Sequence, residues 1–250
     1  MGVKRIVSLL SFLFLSAQAA AFADSSRLLE EAVNDPTRLQ EHVVRDQGRS
    51  PLEILSFSGI QPGEVVADIA VGGGYYAAIL SRYLGQNGKV YAVDPARIFE
   101  AFPQAANGFP SYIEKDPRPN VDYSVQNLDA FQVSQPLDHI LMVLYYHDTL
   151  WTGEDRPKMN KAFFDALKPG GTFLIVDHDA KPMAGAEIGQ TLHRMDCDLI
   201  APEVTAAGFE LVGTSEILRN AEDPLDVSVF DAAWRGRTDR CVLKFKKPAD

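Results

Sequence analysis

Val65-Val66-Ala67-Asp68-Ile69-Ala70-Val71-Gly72-Gly73-Gly74-Tyr75 leads through Ala77-Ala78-Ile79-Leu80 to Gly85, and Lys89-Val90-Tyr91-Ala92-Val93-Asp94 closes the stretch. Val65, Val66, Ile69 and Val71 form a short apolar run that suits a strand buried on both faces. Three glycines then allow a sharp turn and a close backbone approach to a ligand. Tyr75 to Leu84 has helical length and stops at Gly85 and Asn87-Gly88. Lys89 to Val93 reads as a second strand, with Asp94 at its end. The pattern is a βαβ unit whose ligand would sit at the carboxyl ends of the strands. The free N–H groups of the helix start face the glycine turn. A carboxylate 20 residues beyond Gly74 is placed to accept ribose hydroxyls. An ordinary βαβ turn without a nucleotide is the plain alternative.

The rest of the chain is organised around this unit. At 250 residues and 46% hydrophobic content it can build one sizeable α/β core, and it contains no internal repeat. Lys4 and Arg5 precede an apolar run from Ile6 to Leu15, and Ala21-Phe22-Ala23 is a small-residue cleavage pattern before Asp24. These are the three regions of a signal peptide, so residues 1–23 are expected to be a removed leader. The apolar run is short for a membrane span, so no stable anchor is expected after cleavage. Cleavage removes two cations and no acid, taking the formal charge from −10 to −12. So acidic a chain argues against a nucleic-acid partner. Cys197 and Cys241 are an even pair in an exported chain and could be joined; two small buried thiols are the favoured reading.

Residues 24–63 read as a helical segment packing on the domain that follows, residues 64–250. Ser50-Pro51-Leu52-Glu53 has the form of a capping box. Pro103 to Asn120 reads as an irregular connection. Val121–Val125, Leu137–Tyr145, Thr172–Val176 and Cys241–Lys246 read as further strands, with one more after Ala206-Ala207-Gly208-Phe209.

Asp68, Gly72 and Gly74 match the first motif of the class I S-adenosylmethionine-dependent methyltransferases, D-x-G-x-G-x-G, with Ala70 in place of the first glycine. The phrase A-L-K-P-G-G-T-F-L-I-V-D, Ala166 to Asp177, and A-A-G-F-E-L-V, Ala206 to Val212, are similar to later signatures of that family. The chain resembles it over roughly residues 52–246. The Y-H-D segment at Tyr146 and the D-P-L-D-V and R-G-R-T-D-R segments resemble its exported, signal-bearing branch. The resemblance implies a Rossmann-like seven-stranded α/β sheet, mostly parallel, with an antiparallel C-terminal edge hairpin and helices on both faces. It implies S-adenosylmethionine as cofactor. Asp68, Gly72, Gly73 and Gly74 would hold its amino-acid end, Asp94 its ribose, and Asn127 with Leu128 its adenine.

Tyr146, His147 and Asp148 fall where the family places catalytic groups. His147 can act as a general base, with Asp148 orienting it. Neighbours in an extended segment point opposite ways, however, so these two need not touch. Asp148 as a cap, with His147 packed on the sheet end, is the structural alternative. Asp177-His178-Asp179 ends the next strand, and with His147 these residue types could bind a divalent ion. Their spacing matches no metal signature, and no metal is expected. His193-Arg194-Met195-Asp196 is a further polar group, better suited to capping a helix. Arg235, Arg237 and Arg240 could meet an anionic substrate or the cofactor carboxylate, or pair with surface acids. No N-P-P-Y type motif is present, which argues against amide methylation of nucleic acids or proteins. The expected function is methyl transfer to a small-molecule acceptor. An exported binding protein for a nucleoside-like ligand is the alternative, and a dinucleotide oxidoreductase is disfavoured by the glycine spacing.

Overall fold

A computed structural model describes residues 23–249. The leader expected over residues 1–23 therefore lies, but for Ala23, outside the described residues. A helix, α1, occupies residues 23–33. Three short helices follow: α2 (Gln40–Val43), α3 (Asp46–Arg49) and α4 (Pro51–Ser58). The alternating part then runs β1 (Val65–Ile69), α5 (Tyr75–Leu84), β2 (Lys89–Pro95), α6 (Ala96–Ala101), α7 (Gly108–Lys115) and β3 (Val121–Gln126). It continues through β4 (Leu137–Val143), α8 (Arg156–Ala166), β5 (Leu167–His178), α9 (Glu187–Leu192) and α10 (Ile200–Ala206). The chain ends in β6 (Glu210–Thr214) and β7 (Arg240–Lys246).

The seven strands lie in the order β3-β2-β1-β4-β5-β7-β6. β1 pairs parallel with both β2 and β4, and β7 runs antiparallel between β5 and β6. This is the expected sheet, hairpin included. β1 faces apolar layers on both sides. Val66 belongs to a core with Ile54, Leu55 and the α5 residues Ile79 and Leu80. Ala67 and Ile69 belong to a second core with Phe163, Phe173 and Ile200. A strand buried on both faces needs the near-continuous apolar run that the sequence displays. The sheet reverses strand order between β1 and β4, which puts a crevice at the carboxyl ends of those strands.

The N-terminal segment packs on the first core through Leu29, Ala32 and Val33. Its polar contacts are specific. Arg38 pairs with Asp46 at 2.8 Å, and the Tyr75 hydroxyl donates to the same carboxylate at 2.6 Å. The capping box at Ser50 does not form. Ser50 has φ 42°, its side chain makes no cap bond, and its N–H closes α3 on the Asp46 carbonyl. That left-handed turn joins two helices end to end and aims the serine side chain away from the free N–H groups of α4. Residues 103–120 are more regular than expected. Phe109 and Tyr112 are one helical turn apart, both are buried, and together they draw α7 onto the sheet. Among the described residues no helix is long and apolar enough to cross a membrane.

Cys197 and Cys241 form a disulfide, in place of the two separate thiols favoured from sequence. The bridge ties the turn before α10 to the start of β7. Pairing depended on the antiparallel placement of β7 beside β5, which sequence separation does not encode.

Two outcomes are expected. Ala70 occupies the left-handed region at φ 60°, where a Cβ costs about 1 kcal/mol. Ala70→Gly should therefore raise unfolding stability in urea by roughly 0.5–1 kcal/mol, whereas a loss would mean that the methyl group contributes packing. Replacing both Cys197 and Cys241 by Ser should cost about 4 kcal/mol, given the 44-residue separation. An unchanged urea midpoint would show that the bridge does not form.

Candidate active site

Beyond β1 the chain turns in a short left-handed series: Ala70, Gly72 and Gly74 all have positive φ. The Ala70 and Val71 N–H groups both reach the Val93 carbonyl of β2. The Gly72 N–H then donates to Asp94 Oδ1 at 2.9 Å. The residues that suggested a ligand turn and a ribose acid are thus in direct contact. A Cβ at Gly74 would lie 2.4 Å from the Tyr112 ring, so α7 can pack there only against glycine. Gly73 is exposed with open space where a Cβ would be, and its carbonyl meets His42 Nε2 at 2.9 Å.

Asp94 is 2% exposed. The Tyr123 hydroxyl donates to its Oδ2 at 3.1 Å. Burial raises its pKa, against the two hydrogen bonds that favour the carboxylate. Asp68 faces inward under α5. It accepts from the Ala77 N–H, while its Oδ2 is buried without a partner. Burial, with the charge of Asp94 adding to it, pushes Asp68 up to about 7. Its placement is that of a group orienting the turn. Asn127 is exposed beyond the end of β3 and heads a 3-10 turn. The Leu128 side chain is fully buried in the second core, which leaves only its backbone for a base.

The Y-H-D segment is not extended. β4 ends at Val143, Leu144 takes a left-handed conformation at φ 61°, and residues Tyr146–Leu150 form a 3-10 turn. The turn brings His147 and Asp148 together, with Nε2 and Oδ1 3.4 Å apart. Tyr146 points the other way. It is fully buried, and its hydroxyl donates to Glu203 and accepts from Asn160. Its expected catalytic role does not fit this placement; it locks the turn against α8 and α10.

Asp177, at the end of β5, is fully buried and is the hub of the site. Its Oδ2 accepts the His147 N–H at 2.7 Å, and its Oδ1 accepts His147 Nδ1 at 2.6 Å and the His178 N–H at 2.7 Å. With Nδ1 committed to Asp177, His147 presents Nε2 to the cleft. α9 packs on the same turn: a Cβ at Gly189 would lie 2.7 Å from the His147 carbonyl. α9 ends in His193, at φ 55°, whose Nδ1 lies 3.1 Å from Asp148 Oδ1.

The three histidines are not equivalent. Burial opposes charge on His147, but Asp177 and then Asp148 outweigh it, and its pKa is raised. Burial also dominates at His178, and there His147, Arg240, Arg194 and Arg49 add to it, so His178 is held neutral, well below the ordinary value. His147, His178, His193 and Asp148 line a cleft of about 510 Å³ with Arg49 and Phe230. The donor atoms of His147, Asp148 and His193 fall within 4.8 Å of one another, a set of types that can hold a divalent ion although none was expected. A larger cavity, about 770 Å³ between α8 and α10, contains none of the expected site residues.

Of the groups in this cleft, sequence reasoning expected a catalytic role for His147 and Asp148 alone. Asp177, His178 and His193 carried a signal, as polar residues at strand and helix ends. Arg49 carried none.

No protein-family model matches the chain. A 90-residue stretch is 33% identical to phosphoethanolamine N-methyltransferase 1 of Zea mays, spanning 36% of this chain and 18% of that protein's length. A SAM dependent methyltransferase from Aquifex aeolicus superposes with a TM-score of 0.56 at 18% identity, covering 78% of this chain and 87% of its own. The [4+2]-cyclase SpnF superposes equally, at 0.56 and 13% identity, covering 81% of each chain. With the strand order, the antiparallel edge hairpin and the glycine turn bonded to the acid of β2, the chain has the fold of the class I S-adenosylmethionine-dependent methyltransferases.

Proposed function

We propose that this protein is an exported S-adenosylmethionine-dependent methyltransferase acting on a small-molecule acceptor. The observation that carries the reading is the bond between the Gly72 N–H and Asp94 at the sheet's topological switch point. The residues present fit the cofactor in kind: an open Gly73, a Gly74 where a Cβ would not fit, and a carboxylate for ribose hydroxyls. Asp94 Oδ2 is engaged by Tyr123, so ribose would take the place of a phenol already bonded there. When bound, S-adenosylmethionine supplies an electrophilic methyl group.

The protein's task is then to orient the acceptor and hold its proton. Asp177 fixes the His147 ring and raises its basicity, leaving Nε2 to accept that proton. The raised pKa favours the protonated ring, with Nε2 directed toward Asp148. Raising the pH frees the lone pair. The same shift enters stability: the His147–Asp177 pair contributes fully below the unfolded value near 6.5 and loses that contribution as pH rises through the raised native value. His178, kept neutral, is a hydrogen-bond partner in the same cleft and too weak a base to compete.

The leader pattern at Lys4–Ala23 supports export, and the Cys197–Cys241 bridge suits an oxidising compartment. The acidic composition supports a protein without a nucleic-acid partner.

Calorimetric titration of the purified protein with S-adenosylmethionine and S-adenosylhomocysteine tests the cofactor. Both should bind, Asp94→Ala should weaken them at least about tenfold, and Tyr123→Phe should leave them unchanged or tighter. Failure of both to bind wild-type protein at millimolar concentration would end this reading. For the base, turnover on a panel of phenols, thiols and amines should fall at low pH with a midpoint above 6.5, and His147→Gln should lose about a hundredfold or more in kcat. A profile unaltered in His147→Gln would exclude it. A fusion of residues 1–26 to alkaline phosphatase should be active outside the cytoplasm; an inactive fusion would place the protein inside.

A further inference from the structure

Beside the histidine cleft, and sharing Arg49, Leu144, His178, Val229 and Phe230 with it, lies a second cavity of about 670 Å³. Arg45, Arg49, Arg235, Arg237 and Arg240 all line it, and no carboxylate does. This is an unusual wall for a protein carrying a net charge of −10. Arg237 has a distant acid, Glu222 at 3.9 Å. Arg45, Arg49, Arg235 and Arg240 have no ion-pair partner among the described residues.

The nearby acids are committed elsewhere. Asp46 is held by Arg38 and Tyr75, Asp223 by Arg194, and Asp239 by Arg219. Arg240 is 5% exposed, and its guanidinium meets only the carbonyls of Thr238 and Gly236. The Arg49 guanidinium lies 4.6 Å from the centre of the Tyr75 ring. Burial and mutual repulsion lower the pKa of Arg45, and bring Arg240 down to about 10.

Like charges this close separate unless something holds them. Here two glycines do. A Cβ at Gly48 would lie 2.7 Å from the Gly236 carbonyl, so α3 and the loop before β7 meet backbone to backbone. That contact sets Arg45 and Arg49 opposite Arg235 and Arg240. Arg240 is buried, Arg49 half-buried and Arg45 and Arg235 exposed at the mouth, so the charge without a counter-ion is concentrated at the floor of the cavity. An anionic ligand supplies the missing charge, and guanidinium groups recognise carboxylate and phosphate oxygens through charge-assisted hydrogen bonds.

We propose that this arginine cavity binds the carboxylate or phosphate of an anionic small-molecule acceptor, whose uncharged end extends into the cleft of His147 and His178. The volume is that of a small-molecule site. The identification of the ligand as an acceptor rests on the methyltransferase reading; the anion site itself does not. The cofactor's own carboxylate has the same chemistry, and the experiment separates the two.

Calorimetry with 4-hydroxybenzoate, phenyl phosphate and the uncharged 4-hydroxybenzamide, without cofactor, tests the site whether or not S-adenosylmethionine binds. At least one anion should bind, and the amide should not at about 10 mM. Arg45→Gln/Arg235→Gln replaces two exposed side chains with no ion-pair partner. It should weaken the anion at least about tenfold with an unchanged thermal midpoint, and wild-type affinity should fall with added salt. Affinity should persist in saturating S-adenosylhomocysteine. Equal binding of amide and anion, no binding of either anion, or undiminished binding in the double variant would overturn the site. Competition by S-adenosylhomocysteine would assign these arginines to the cofactor and overturn the acceptor proposal.

Discussion

The hydrogen bond from the Gly72 N–H to Asp94 Oδ1 is the constraint on which the arrangement of this protein depends. It can form only if β1 and β2 are parallel neighbours in register, and if the chain leaves β1 through left-handed conformations. The register supplies the first condition, with Ile69 opposite Val93 and Asp94 one residue beyond. Ala70, Gly72 and Gly74 supply the second. Once the turn is set, α5 starts beneath it, α7 closes over Gly74, and His42 secures the Gly73 carbonyl from the N-terminal segment. Three parts of the chain distant in sequence therefore converge on a few peptide groups. Tyr112 against Gly74 and Gly108 against the Gly72 carbonyl leave α7 almost no latitude.

The other end of the crevice is sorted by charge. Beneath the cleft, Asp177 collects three donors and stabilises a charge on His147. Beside it, burial, reinforced by His147 and by Arg240, Arg194 and Arg49, keeps His178 neutral, with ring centres of the two histidines 5.8 Å apart. Environments that drive two like groups in opposite directions mark an acid–base site more strongly than either residue alone. The field also bears on what can enter. A cation would have donors at His147, Asp148 and His193, but Arg49 lines the same cleft, and Arg45, Arg235 and Arg240 line the cavity beside it. Like charges repel more strongly in a partly buried site than in water, so an anion is the better-matched guest.

Much of the fold was legible because it rests on local rules. A doubly buried strand must be apolar throughout, a glycine turn announces itself, and a helix stops at Gly85. The sheet hairpin was implied by resemblance and by the A-A-G-F turn. What sequence concealed is nonlocal. The strand reading carried β4 to Tyr145 because Leu144 looks like any strand leucine; nothing local signals its left-handed backbone, which folds His147 onto Asp148. α7 was obscured by its Pro and Gly content, although Phe109 and Tyr112 had helical spacing. Tyr146 shared a motif with His147 yet faces the core, since a 3-10 turn splits neighbouring side chains between two surfaces. Arg49 and Arg240 are separated by most of the chain, and only the Gly48–Gly236 contact makes them one wall.

This division explains how one sheet can carry different reactions. The β1–β2 end is built from a single contiguous unit, so it is read in sequence. The β4–β5 end is assembled from α3, the turn after β4, the end of α9 and the loop before β7, each free to vary. A cyclase and a methyltransferase superpose on this chain to the same degree, so the fold alone does not fix the reaction. The chemistry of this protein is therefore to be sought in the residues that the second end brings together. There the disulfide takes on a second role. Both of its sulfurs lie against the Asp177 carbonyl, 3.7 and 3.9 Å away, so the bridge braces the strand end that orients His147. A covalent link between the turn before α10 and the start of β7 thus reaches the cleft through one carbonyl group, and it limits how far the carboxylate that holds the His147 ring can move.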